Sequence, residues 1–360
     1  MPGVYISYPF CAQKCTYCNF ASGVFPRELE SQYLTALQSE IANARWQWTP
    51  ETVYFGGGTP SQLDPAGLAS LLKQIPGAPF AEATLEAAPG GLTLEKAQAW
   101  NAAGINRVSF GVQSFIKQEL ARTGRKHTAE IVQQEVAILH EAGIHNFNLD
   151  LIAGLPGQTA ASWSESLHWI ERLNPPHVSV YMLEVDEDSR LGSEVLSLGQ
   201  RYGARDIPDD DQIADFYEQA VEHLARIGIP RYEISNFARE GHESRHNLTY
   251  WLREPYIGIG ADAHSFDGRD RIQNTEQAAD YVQSNTPQRT EADPISEKFF
   301  LGLRLTRGIP APFTPFEPQV ADLIKTGLLE ISAARLRLTN RGVLLSNEVF
   351  TEFLTEQTPT

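Results

Sequence analysis

The 360-residue chain is poor in three things, and each shortage closes off a class of function. No apolar stretch approaches the roughly 20 residues that carry a helix through a bilayer, so a membrane-spanning protein is not expected. Positive charge is scarce: 29 Lys and Arg stand against 45 Asp and Glu, a net charge of −16. Non-specific binding to nucleic acid draws on a basic surface, so no nucleic-acid partner is expected, although one local basic pocket is compatible with the same balance. Cysteine is the third shortage, with three residues in all and none after Cys18. That odd count disfavours a disulfide framework. Met1-Pro-Gly-Val-Tyr-Ile-Ser has no basic segment followed by a long apolar run, so no secretory signal is read there. With 42% hydrophobic and 21% charged residues, the composition is that of a globular protein, long enough for one barrel and a smaller domain.

What the chain does have is concentrated near its start. Cys11-Ala-Gln-Lys-Cys15-Thr-Tyr-Cys18 places three soft ligands in eight residues. Thiolates select iron–sulfur clusters or zinc. Three of them hold three irons of a 4Fe–4S cubane and leave the fourth open to a ligand from outside the protein. Zinc would need one more protein ligand. The first histidine, His127, lies more than a hundred residues on, and completing a Cys3His site from such a distance remains the alternative. Reduced thiols around an oxygen-sensitive cluster point to the cytoplasm.

The first half alternates short apolar strands with amphipathic helices. Strands are expected at 4–7, 52–55, 84–87, 107–110, 147–151 and 177–182. Between them, Asp64-Pro65 reads as an N-cap and first helical position, and Thr128 as a second cap. Gly104 and Gly143 read as helix stops. Six units predict parallel strands joined by right-handed crossovers. The expected fold class is therefore α/β, a partial (β/α)6 barrel, with its functional face at the loops that follow the strands. The cysteines follow strand one directly. Beyond about residue 187 the periodicity weakens; a helix over 212–227 and a strand at Tyr232-Glu-Ile-Ser are expected. A polar stretch around 286–294 reads as a linker between residues 1–285 and a small winged-helix-like α+β domain over 295–360. The acidity of the chain favours a packing or partner role for that wing over DNA binding.

Residues suited to one polar ligand stand at successive strand ends. Gly56-Gly57-Gly58-Thr59-Pro60 lets backbone approach a ligand closely. Glu86 suits an ammonium group, and Arg125 suits a carboxylate. Gln113 and Asp150 project from the same rim. Singly, each is more often a cap or surface residue; together they compose a pocket.

These features, with Tyr5, Phe10, Tyr17 and Asp150-Leu-Ile-Ala-Gly-Leu-Pro-Gly-Gln158, resemble the oxygen-independent coproporphyrinogen oxidase group of the radical S-adenosylmethionine (SAM) superfamily. The resemblance covers about the first 270 residues. It implies that Cys11, Cys15 and Cys18 hold a 4Fe–4S cluster whose open iron chelates SAM, and that one electron cleaves SAM to a 5′-deoxyadenosyl radical. It places Tyr5, Gly58, Thr59, Glu86, Gln113, Arg125 and Asp150 at cofactor-contacting positions, with Tyr17 beside the cluster.

The group contains oxidases, which decarboxylate propionate side chains, and a haem-chaperone branch. Oxidases carry a further cysteine two residues after the third, where this chain has Phe20, and a long extension before the motif, where it has ten residues. His246-Asn-Leu-Thr-Tyr250-Trp251 matches the H-N-x-x-Y-W motif of the chaperones. The resemblance thus implies haem as cargo with His246 as its iron ligand, recipient haemoproteins that include membrane-bound respiratory proteins, and room for a homodimer. The alternative is a coproporphyrinogen III oxidase. Arg245 or Arg253 would suit the haem propionates, and His264 is a second candidate iron ligand. The Gly258-Ile-Gly260 stretch before it superficially matches a dinucleotide fingerprint, but lacks the strand–helix context.

Overall fold

The computed structural model describes residues 1–354; residues 355–360, the end of the expected C-terminal domain, lie outside the described residues. Six strands, β1 (Gly3–Tyr8), β2 (Thr52–Gly57), β3 (Glu82–Ala87), β4 (Arg107–Gln113), β5 (Asn146–Ala153) and β6 (His177–Met182), run parallel in that order. The crossovers carry α1 (Arg27–Asn43), α2 (Pro65–Gln74), α3 (Leu94–Ala103), α4 (Lys117–Arg122), α5 (Ala129–Glu141) and α6 (Ala160–Leu173). Asp64 accepts from the Ala66 and Gly67 amides and Thr93 from Lys96, so short polar side chains start α2 and α3. Gly104, at φ 105°, ends α3 in the left-handed region, where a Cβ would be strained.

Parallel strands covered on both faces usually read as continuous apolar runs. These alternate. Val4, Ile6, Val53, Phe55, Leu85, Val108, Phe110, Phe147 and Leu149 are essentially inaccessible and form the core under the helices. The intervening positions are polar and bond to one another across the lumen: Tyr54 to Glu86, Arg107 to Thr84, Asn148 to Ser109, and His177 to Asn148. Side chains of successive strand residues point to opposite faces, so this alternation builds an apolar shell around a polar interior.

The sheet continues at both edges. After α7 (Arg190–Ser197) and α8 (Asp210–Arg226), β7 (Asn236–Ala238) pairs antiparallel with β6. The strand expected at Tyr232–Ser235 is instead the turn before β7, closed by the Tyr232 amide donating to the Asn236 carbonyl at 3.0 Å. α9 (Arg245–Trp251) follows. β8 (Tyr256–Ile259) then pairs parallel with β1, and β9 (His264–Phe266), β10 (Asp270–Gln273), α10 (Ala278–Gln283) and β11 (Gln288–Glu291) extend that edge. Among the described residues the eleven strands run in an open order from β11 to β7 with no pairing between those ends.

The remainder is α11 (Pro294–Gly302), β12 (Ile309–Pro310), α12 (Glu317–Lys325), β13 (Leu329–Ser332), β14 (Arg335–Leu338), α13 (Asn340–Leu344) and α14 (Ser346–Thr351). β12, β14 and β13 form a small antiparallel sheet in which β13 and β14 are a hairpin.

Candidate functional site

The cysteine loop leaves β1 at the C-terminal end of the barrel. Its two ends are pinned together, Cys11 donating to the Gly23 carbonyl and Gly23 to that of Pro9. Its middle is held by the Thr16 amide on the Thr123 carbonyl and by Leu191 of α7 donating to Thr16. All three thiols are partly buried and lie close enough that Cys18 and Cys15 disfavour ionisation of Cys11. Burial is the larger cause of the raised Cys11 pKa, opposed by hydrogen bonds from Thr59 and Ser22. Among the described residues no three His, Cys, Asp or Glu side chains converge as ligands of one ion. Three thiols spread along one loop suit a cubane, whose irons each take a single thiolate.

The glycine loop lies against the start of the cysteine loop. Gly58 and Thr59 donate to the carbonyls of Tyr8 and Phe10 at 2.8 and 2.9 Å. A Cβ on Gly58 would stand 2.6 Å from the Phe10 carbonyl oxygen, so only glycine permits this approach. Arg125 reaches back across the mouth, donating to the Gly111 carbonyl at 2.7 Å and to the Tyr17 hydroxyl at 3.3 Å. Its Nε is buried with no partner among the described residues. Gln113, at φ 68° after the irregular register at Gly111, lies beside this guanidinium.

Deeper in the lumen, Glu86 accepts from Tyr54 at 2.9 Å, and burial raises its pKa to about 7 despite that bond and the Gly57 amide. Asp150 accepts from Asn148 at 2.7 Å; burial also raises its carboxyl, against the pull of Ser179, Asn148, Arg107 and Arg125. Tyr5 stacks on Tyr54 with ring centroids 6.1 Å apart. The structure thus gathers Tyr5, Tyr17, Gly58, Thr59, Glu86, Gln113, Arg125 and Asp150 around one mouth. Two buried acids and one under-satisfied guanidinium suit a ligand carrying both an ammonium and a carboxylate. Arg107, 2% exposed and with its Nε unpartnered among the described residues, is a lumenal cation that sequence reasoning missed. Its signal is the alternation Arg107-Val-Ser-Phe-Gly-Val-Gln, with polar Arg107, Ser109 and Gln113 on one face of a strand expected to be apolar.

His246 does not join this group. It sits on α9 at the opposite end of the barrel, where the strands begin. Glu82, the first residue of β3, accepts from Ser244 Oγ at 3.3 Å and from the Arg245 and His246 amides at 3.0 Å each, so α9 plugs the lumen from below. The His246 ring is 1% exposed, with Nδ1 2.8 Å from Thr52 Oγ1 and Nε2 2.7 Å from the Tyr250 hydroxyl. Burial, reinforced by Arg107, lowers its pKa to about 3, so it stays neutral. Iron ligation through His246, expected from its motif, does not fit this arrangement because both ring nitrogens are engaged and the ring is enclosed. Arg253 also departs from expectation: it pairs with Glu297 at 2.7 Å.

The C-terminal half of the motif does reach a cavity. A cleft of about 460 Å³ lies between the β1–β8–β9–β10 edge and α11. Tyr5, Tyr250, Trp251, Tyr256 and, exposed, His264 are among its lining residues.

Comparison with known proteins gives the same outline. The radical SAM superfamily model matches residues 5–170, and the HemN C-terminal domain model matches residues 290–345. A heme chaperone HemW of Bacillus subtilis is 36% identical over 99% of this chain and 100% of its own length. A heme chaperone HemW of Escherichia coli is 33% identical over 98% of each chain. The solved structure of the radical SAM enzyme coproporphyrinogen III oxidase (HemN) from Escherichia coli superposes with a TM-score of 0.82 at 24% identity, covering 98% of this chain and 90% of that one. At that identity the last likeness speaks for the fold alone.

Proposed function

This chain belongs to the HemW heme-chaperone family of the radical SAM superfamily, and from that membership we propose that it binds haem and delivers it to recipient haemoproteins. The observation that carries the reading is the full-length relation to the chaperones, 36% identical over 99% of this chain for the Bacillus subtilis protein. Phe20 in place of the oxidases' further cysteine supports it. Free cysteines are compatible with a cytoplasmic protein, some of whose recipients are membrane-bound, and among the described residues no helix is long and apolar enough to cross a membrane.

On this reading Cys11, Cys15 and Cys18 hold a 4Fe–4S cluster and the mouth beside them holds SAM. When bound, that pair supplies one-electron cleavage of the sulfonium. The chain's own part is placement. Gly58 lets the loop backbone come close to the ligand, Glu86 would accept from the SAM amino group, and Arg125, already braced on Gly111 and Tyr17, would take the carboxylate. Tyr5 and the Tyr54–Glu86 bond fix the inner wall, while Gln113 and Asp150 complete the polar lining. Tyr17 shields the cluster side of Arg125.

The test uses one anaerobic, cluster-reconstituted preparation with SAM. It is expected to bind haem, to pass it to a haem-free cytochrome as followed by the acceptor's Soret band, and to leave coproporphyrinogen III intact. Sustained carbon dioxide release with protoporphyrinogen formation would overturn the chaperone reading in favour of an oxidase.

A further inference from the structure

We infer that the haem cargo lies in the cleft beneath α11 with His264, not His246, as its axial ligand, and that His246 is a positioning residue for the aromatic wall of that cleft. The inference rests on the chaperone reading and identifies where the cargo sits.

Three observations carry it. The first is availability. His246 is enclosed and both of its nitrogens are bonded, to Thr52 and Tyr250. His264 lines the cavity, is exposed, and no hydrogen bond holds its ring among the described residues. Its backbone is fixed in β9, opposite Gln273, so the ring is mounted on a strand and not on a mobile loop. Neutral imidazole with a free nitrogen is a common ligand of haem iron.

The second is shape. A volume of about 460 Å³ lies in the range of cavities that take cofactor-sized ligands. Tyr250, Trp251 and Tyr256 line it together with Phe300 and Leu301 of α11. Tyr250 and Tyr256 meet edge to face with centroids 4.6 Å apart, which leaves a stepped aromatic surface for a planar macrocycle. The Trp251 indole N–H has no partner among the described residues.

The third is charge. Arg253 and Arg271 both pair with the single carboxylate of Glu297, at 2.7 and 2.8 Å, and with Asp262 the two cations and two carboxylates balance, so Arg271, which lines the cleft, is the guanidinium within reach of a propionate there. Asp262, also at the cleft, is bonded by the Gln273 amide at 3.0 Å and disfavours a carboxylate on its own side, which orients the propionates toward Arg271.

The arrangement also gives the His246 motif a physical role. The ring stacks on Tyr54 at 5.2 Å and bonds the Tyr250 hydroxyl, so it holds a wall of the cleft from behind. Tyr54 bonds Glu86, and Tyr5 lines both cleft and lumen; cargo and SAM therefore share a wall.

The test is haem titration of the cluster-loaded protein with four chains: native, His264→Ala, His246→Gln and Leu301→Trp. His264→Ala is expected to weaken haem binding at least tenfold and shift the Soret band and electron paramagnetic resonance signal, with added imidazole restoring the native spectrum. It should leave metal-free protoporphyrin IX binding unchanged. Leu301→Trp, which fills the cleft, should weaken both. His246→Gln should weaken binding while keeping the native coordination spectrum. A His264→Ala protein with native haem affinity and spectrum overturns the assignment, as does loss of the coordination signal in His246→Gln alone. A native chain that binds no haem would instead sink the chaperone reading itself.

Discussion

Glu86 and His246 are both buried beside Tyr54, and burial drives them in opposite directions. The Glu86 carboxyl titrates at about 7 in the folded protein against an ordinary 4.5. The folded state then binds the extra proton, so this group's contribution to stability falls as pH rises from about 4.5 to 7 and is level above. A shift of that size corresponds to roughly 3 kcal/mol. Glu86→Gln is therefore expected to stabilise the ligand-free protein at pH 8 by about 1–3 kcal/mol in urea unfolding, while SAM affinity falls. In the cluster-free protein, where the SAM amino group stays an ammonium, its charge beside Glu86 should pull the carboxyl proton off, so calorimetry at pH 6.5 in buffers of different ionisation enthalpy should register proton release, absent in Glu86→Gln. Equal heats across buffers for the native protein would contradict the pairing. His246 has the reverse sign. Its pKa of about 3 lies below the ordinary 6.5, so the unfolded chain binds more protons and stability is lost as pH falls below 6.5. His246→Gln should flatten that acid-side loss. At this scale the sequence revealed which residues stand at strand ends, and so the mouth was legible down to Glu86 and Arg125. It did not reveal which way a motif histidine faces, because identity at a position carries no information about whether neighbours already occupy both ring nitrogens.

Among the elements, α9 is short and depends on what it docks against. Seven residues cannot sustain a helix alone, and here the docking is Glu82 accepting three hydrogen bonds at its N-terminal end. Glu82→Ala should cost about 2–4 kcal/mol by stranding those donors in a closed site. Hydrogen exchange of residues 245–251 should accelerate selectively; unchanged exchange there would show that α9 is held by something else. The β13–β14 hairpin offers the opposite opportunity. Its two turn residues, Ala333 and Ala334, sit at φ 48° and 61°, a region that asparagine and glycine adopt far more easily. The double change Ala333→Asn with Ala334→Gly should raise stability by about 1 kcal/mol, read from the urea midpoint. Helix starts at Asp64 and Thr128 were legible because each is a side chain bonding to its own local backbone. α4, α7 and β8–β11 were not. Strands such as His264-Ser-Phe and Asp270-Arg-Ile-Gln have too few residues for a period, and they exist because the β1 edge offers backbone partners.

The whole molecule is joined through a carboxylate that no local pattern marks. Glu297 of α11 accepts from Arg253, just past α9, and from Arg271 of β10, so three segments distant in sequence meet on one side chain that is almost fully covered. Burial works against its charge, but Arg271 and Arg253 outweigh it and hold the carboxyl below the usual range. A depressed carboxyl contributes stability that is present above its unfolded pKa and lost as pH falls through the folded value. Arg304 adds to the joint, lying 4.3 Å over the Trp251 ring and 3.6 Å from Glu233. Removing one member of such a group leaves the others charged and enclosed, which costs more than the pairing gains. Glu297→Ala should therefore lower stability by about 2–4 kcal/mol, and Glu297→Gln, which still accepts hydrogen bonds, by less. The loss should change little in 1 M salt, since screening barely reaches covered charges. Exchange should quicken in α11, α9 and β10 together, because the three share the carboxylate and with it the wall of the haem cleft. Faster exchange in α11 alone would mean that the C-terminal unit is held to the barrel elsewhere, and that the cleft does not depend on this joint.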